Sequence, residues 1–264
     1  MTETMSNTKE RSAAAVIGCL CGDAAAQPIH WIYNLGKLQA ILSALEYPEF
    51  RFPSANPYYR IDTGKNTCYG DQVMALLESL VRCKGLDVKD YATTQYCYFG
   101  PESKYENKLN AAFVIKSGVQ KNFPIHGPWR DKVLKDFLVK YATKEEETGS
   151  NDMTDMHAVI QVVPIVSLYA GQPEMLEKVE EAVSVTMTAD EAIVHSLVAA
   201  RILEYFILNG SNGNVLDDVI KELRDPNRTC PHSLDKAVIG FLEKVKRNLT
   251  VPHFNAATKV FKNN

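Results

Sequence analysis

Apolar residues recur at three- and four-residue spacing through most of the chain, while alternating strand-like runs are scarce, and this periodicity predicts an all-α protein. Helices are expected at 11–26, 35–46, 71–84, 87–99, 106–119, 129–142, 155–170, 173–188, 190–208, 214–223 and 233–248. Asp87 and Asp190 are expected N-caps, and Pro128 and Pro173 sit where a first-turn proline is tolerated. The stretch 47–66, rich in Pro, Asn, Tyr and Gly, reads as a long surface loop. A second loop, 143–152, carries the run Lys144-Glu145-Glu146-Glu147, which reads as a solvated connection. Ala13–Ala26 has so little polar face that it is expected to be a central buried helix.

Composition narrows the class. A chain of 264 residues with 45% apolar content is long enough for one large domain, expected over 11–264 behind a disordered segment 1–10. A net charge of -3 gives no long-range attraction for phosphate backbones or anionic lipid, so neither nucleic acid nor membrane is an expected partner. No segment reads as long enough to span a bilayer. The six cysteines (19, 21, 68, 83, 97 and 230) lack ligand-type spacing and read as reduced thiols of a cytoplasmic protein. The apolar run Ala13–Cys21 imitates a signal-peptide core, but Glu3 and Glu10 spoil a positive leader. Asn209, Asn227 and Asn248 begin sequons that matter only after secretion.

Candidate chemistry gathers in three places. Gly18-Cys19-Leu20-Cys21-Gly22-Asp23-Ala24-Ala25-Ala26 combines small residues with Asp23, and His30 follows seven residues on, beside Trp31. Thr67-Cys68-Tyr69-Gly70-Asp71-Gln72-Val73-Met74 contains a single carboxylate. Met156-His157-Ala158-Val159-Ile160-Gln161-Val162-Val163-Pro164 is the third. Asp152, Asp155 and His157 have the makings of a metal cluster, but Asp is also favoured at a helix start. Cys68 reads as a buried inert thiol rather than a nucleophile. No hydrolase elbow, zinc-protease, dinucleotide or phosphate-loop motif occurs.

Together these segments resemble the ADP-ribosylglycohydrolase family, whose members carry Thr-Asp-Asp-Thr where this chain has Tyr69, Gly70, Asp71 and Gln72. The resemblance implies a single-domain, orthogonal all-α bundle of the ADP-ribosylglycohydrolase type. It also implies a pocket, here vestigial, around Asp23, His30, Asp71, Gln72 and Gln161, with His30 replacing a glutamate and Gln161 an arginine. A binuclear magnesium site needs several converging oxygen ligands. Asp71 is the only family-type ligand retained, and the family's late Asp-Thr-Asp element does not occur before Asn264, as though the last family helices were lacking. No cofactor is therefore expected, magnesium being the alternative. Within the family the likeness is to jellyfish lens crystallins of the J class and their selenoprotein relatives, carried by Gly22-Asp23-Ala24-Ala25, by Tyr69-Gly70-Asp71-Gln72 and by Tyr169-Ala170-Gly171. It implies a structural lens protein able to self-associate at high concentration. A magnesium-dependent ADP-ribosyl hydrolase and a non-catalytic ADP-ribose binding module are the other readings.

Overall fold

The computed structural model describes residues 2–111, 122–228, 231–252 and 255–261. Among them are ten α-helices and two strands of two residues each, so the fold is all-α. The chain forms two compact units: one is Ala15–Thr148, the other Met1–Ala14 with Gly149–Asn264. Helix α1 (Thr2–Ala26) contributes to both.

In the Ala15–Thr148 unit, α2 (Leu35–Ser43), α3 (Cys68–Cys83), α4 (Val88–Phe99) and α5 (Lys132–Ala142) follow α1. Thr67 caps α3 by accepting from the Tyr69 amide at 3.0 Å, so the helix starts three residues before the expected Asp71. Its buried positions Cys68, Gln72, Val73, Ala75, Leu76, Ser79 and Leu80 follow helical spacing and put one face into the core. That face packs on α4, which packs on α5, where the Tyr96 ring stacks on Tyr141 at 4.8 Å. Asp87 caps α4 as expected, accepting from the Asp90 amide at 2.9 Å. Asp131 caps α5, which leaves Pro128 outside the helix. The long 47–66 loop contains β1 (Tyr59–Arg60), which pairs in parallel with β2 (Ile125–His126).

The other unit is built from α6 (Val159–Tyr169), α7 (Met175–Ser184), α8 (Asp190–Asn209), α9 (Val215–Arg224) and α10 (Asp235–Arg247). Helix α6 packs on both α7 and α8, and its apolar composition on nearly every side suits that position. Ala189 rather than Asp190 is the N-cap residue of α8, and Pro173 precedes α7 instead of opening it. Arg11 of α1 donates to the carbonyls of Ile207 (2.6 Å) and Leu208 (2.9 Å), satisfying orphan acceptors at the C-terminus of α8. Arg201, 7% exposed, pairs with Asp235 at 3.1 Å, and Asp235 also receives Arg228 and the His232 amide.

Four other expectations need correction. Helix α1 begins at Thr2 rather than at residue 11, because the polar residues ahead of the apolar run carry helix propensity without an apolar period. It is not a central buried helix: Ala24 is its one buried residue among the described side chains, and Ile17 is 60% exposed. The stretch Asn7–Ile29 is long and apolar enough, by length and composition, to cross a bilayer. Part of the expected helix 106–119 is replaced by turns over 106–111, and 112–121 lie outside the described residues.

Candidate functional site

Four of the five expected site residues belong to the Ala15–Thr148 unit. Asp23, near the end of α1, faces the start of α3: Oδ2 accepts from the Thr67 amide (2.7 Å) and Asn66 Nδ2 (3.0 Å), and Oδ1 from Thr67 Oγ1 (2.6 Å). The carboxylate thus orients the residue that caps α3 and has a structural task of its own.

His30 sits in a nest of rings. Its Nδ1 is 3.2 Å from Tyr59 Oη, and its ring centroid lies 4.6 Å from Trp31 and 5.4 Å from Tyr69. Burial lowers its pKa to about 4, against the pull of Asp23 and Asp131. The imidazole is neutral at physiological pH. Trp31 holds a left-handed backbone at φ +59°, a strained conformation for a bulky residue, and its ring also packs edge-on against Tyr58, Tyr59 and Trp129. These aromatic contacts fix His30 as part of a packed cluster.

Asp71 lies on the first turn of α3 and is 9% exposed. Its Oδ2 accepts from Tyr105 Oη at 2.6 Å and is 2.6 Å from Lys104 Nζ. Tyr105 is fully buried, and its pKa is pushed well up, first by burial and then by Cys68 and Asp71, so the phenol remains a donor. Gln72 is turned into the core: its Nε2 donates to the Cys68 carbonyl at 3.1 Å, and its Oε1 accepts from Gln95 Nε2 at 3.3 Å. Gly70 leaves no room for a side chain, since a Cβ there would stand 2.5 Å from both Asn66 Nδ2 and Asp23 Oδ2. The neighbouring Cys68 thiol is buried and pushed well up in pKa, by burial first and then by Asp131 and Asp23, which disfavours a thiolate.

A magnesium pair does not fit these residues. Position 70 is filled by its neighbours, Gln72 points away, and the one retained carboxylate is already engaged by a phenol and an ammonium. Among the described residues no three His, Cys, Asp or Glu side chains are placed to hold a metal. The sequence cluster Asp152, Asp155 and His157 is spent on local structure: Asp155 accepts from the His157 amide at 2.9 Å, and Asp152 accepts from Ser150 Oγ at 2.6 Å.

Gln161, the fifth residue, belongs to the other unit, where its Nε2 donates to Thr186 Oγ1 at 3.1 Å. Two clefts in that unit, of about 820 and 480 Å³, contain none of the five. The larger is a groove between α9 and α10 whose charges pair with one another, Lys246 with Asp217 and Arg224 with Glu243. It lacks convergent chemistry, so the residues around Asp71 remain the better candidate site.

Lys104 and Tyr105 were invisible as site residues in the sequence. The pairing of Lys104 with Asp71 spans a loop that apolar spacing had assigned in part to a helix, and no short motif marks it.

This all-α fold, with its degenerate motif at the start of α3, belongs to the ADP-ribosylglycohydrolase family, whose profile matches residues 4–260. Among curated proteins the chain is similar to crystallin J1A of Tripedalia cystophora, with 31% identity over 217 residues, 82% of this chain and 64% of that protein. Crystallin J1B of the same animal is 32% identical over 202 residues, 76% of this chain and 60% of its own length. The chain therefore spans less than two thirds of the length of either relative.

Proposed function

We propose that this chain is a structural eye-lens crystallin, built on the ADP-ribosylglycohydrolase fold and without the family's metal-dependent hydrolysis. The observation that carries the reading is the state of Asp71: its carboxylate is engaged by Lys104 and Tyr105, and the flanking positions, Gly70 and Gln72, offer no metal ligand. The likeness to two proteins named crystallin supports the structural role. Catalysis by a metal pair depends on parts acting together, and the loss of several is not rescued one at a time.

The proposal extends to setting. A cytoplasmic protein suits five free thiols among the described residues, three of them, Cys21, Cys83 and Cys97, exposed. Partners are neither nucleic acid nor membrane. Arg11 is tied to carbonyls in one unit and Asp23 to Thr67 in the other, so inserting α1 into lipid would strip both of their bonds. Self-association at high concentration, as a lens protein would undergo, is readable by light scattering.

The test is enzymatic. Incubation with ADP-ribosylated arginine, ADP-ribosylated serine or O-acetyl-ADP-ribose, with and without Mg²⁺, should release no ADP-ribose above buffer. Metal-dependent turnover that disappears in Asp71→Ala would return the chain to the hydrolases, and absence from lens tissue by quantitative mass spectrometry would remove the crystallin role.

A further inference from the structure

A nearly dry carboxylate needs a cation or several donors to compensate the loss of water. Asp71 has both. Lys104 Nζ stands 2.6 Å from Asp71 Oδ2 and 5.6 Å from the centroid of the Tyr105 ring, while Tyr105 Oη donates to the same oxygen. The ammonium is within reach of a carboxylate and an aromatic ring, both of which favour positive charge.

The loop that delivers it is built for the purpose. Arg130, with no exposed surface, donates from Nε to the Phe99 carbonyl (2.5 Å), from Nη2 to the Gly100 carbonyl (2.8 Å) and Glu106 Oε2 (2.7 Å), and from Nη1 to the Asn110 carbonyl (3.1 Å). Both ends of the 100–110 segment are thereby pinned to one buried guanidinium. Within it, Ser103 Oγ donates to the Gly100 carbonyl at 2.7 Å and accepts from the Tyr105 amide at 3.2 Å, and Glu102 takes a left-handed backbone at φ +70°. The loop conformation is thus set by its own bonds as well as by the Asp71 contact. The Lys104 side chain is 61% exposed, so its stem contributes little packing and its role is its charge.

We infer that the Lys104 ammonium is a tethered replacement for the divalent cation that this fold would place at Asp71, carried in by the Arg130-pinned loop. The inference rests on the non-catalytic reading of the site and gives it a mechanism. The site does not wait for metal, because a cation of the chain itself compensates Asp71 and its positive charge repels a divalent ion from that oxygen.

Two measurements on the full chain test it. In a double-mutant cycle by thermal melting, Lys104→Met should lower the midpoint by on the order of 2–4 °C. The same change should have little effect in an Asp71→Asn background, because the partner is already gone. Water-proton relaxation with Mn²⁺ supplies the second readout. The parent should take up no Mn²⁺ through Asp71. Lys104→Met should bind about tenfold tighter or more, the scale of removing one positive charge some 4 Å from a divalent ion in a solvated site, and Asp71→Asn should abolish the gain. Additive effects at 71 and 104, or equal Mn²⁺ uptake by parent and Lys104→Met, would overturn the inference. Neither readout uses ADP-ribose release or lens abundance, so the inference and the proposed function can each fail without the other.

Discussion

His30 shows how surroundings set the charge state of a single side chain. Rings on several sides and the Tyr59 hydroxyl hold it, and burial depresses its pKa from 6.5 to about 4. The unfolded chain therefore binds a proton that the folded chain refuses between those two values, and stability falls as pH drops through that window. Its contribution is intact above about pH 6.5 and is lost progressively toward pH 4. Between pH 7 and pH 5 the expected loss is about 2 kcal/mol, with His195, also lowered by burial, acting in the same direction. Urea melts of the parent and His30→Gln at the two pH values read this directly: the variant should lose less stability on acidification. Identical losses would mean that His30 is not buried in its neutral form. The sequence placed this histidine beside Trp31; the neighbours that decide its role, Tyr59 and Tyr69, lie 29 and 39 positions away and leave no local trace.

Among the elements, the helices with a continuous apolar stripe were legible from spacing, and their ends were not. Helix α3 starts at Cys68 because Thr67 can cap it and Asp23 can orient Thr67, a contact between residues 44 positions apart. The segment 106–111 was misread for the opposite reason, since its polar side chains compete for the backbone: Asn107 Oδ1 accepts from the Leu109 amide at 2.9 Å, a turn-forming bond that helical periodicity ignores. What holds that turn is Arg130, whose burial no motif announced. Replacing it by Met would leave the carbonyls of Phe99 and Asn110 short of donors, while the Gly100 carbonyl keeps the Ser103 hydroxyl. Glu106, whose side chain is 43% exposed, would remain hydrated. A loss of about 3 kcal/mol or more is expected in chemical denaturation, well beyond an exposed ion pair. An effect below about 1 kcal/mol would show that the loop does not depend on the guanidinium.

For the whole molecule, family membership and the loss of a metal site are separate statements, and stability offers a way to keep them apart. A ligand that binds only the folded chain stabilises it by about 2.7 kcal/mol when present at a hundred times its dissociation constant, which would shift a chain of this size by several degrees. A metal pair bound at micromolar affinity would therefore raise the melting temperature visibly in millimolar Mg²⁺. The expected result is no shift, and none on adding a chelator, because Asp71 is already compensated by Lys104 and Tyr105. Gly70→Asp sharpens the comparison, since it restores in sequence the acidic pair that the family carries. A Cβ at that position would stand 2.5 Å from Asn66 Nδ2 and Asp23 Oδ2, so the variant should lose about 1–3 kcal/mol to overpacking and still fail to respond to Mg²⁺. If Gly70→Asp instead melted higher in magnesium than without it, the surroundings of α3 would have kept the shape of a metal site, and one residue would separate this chain from a metal-binding relative.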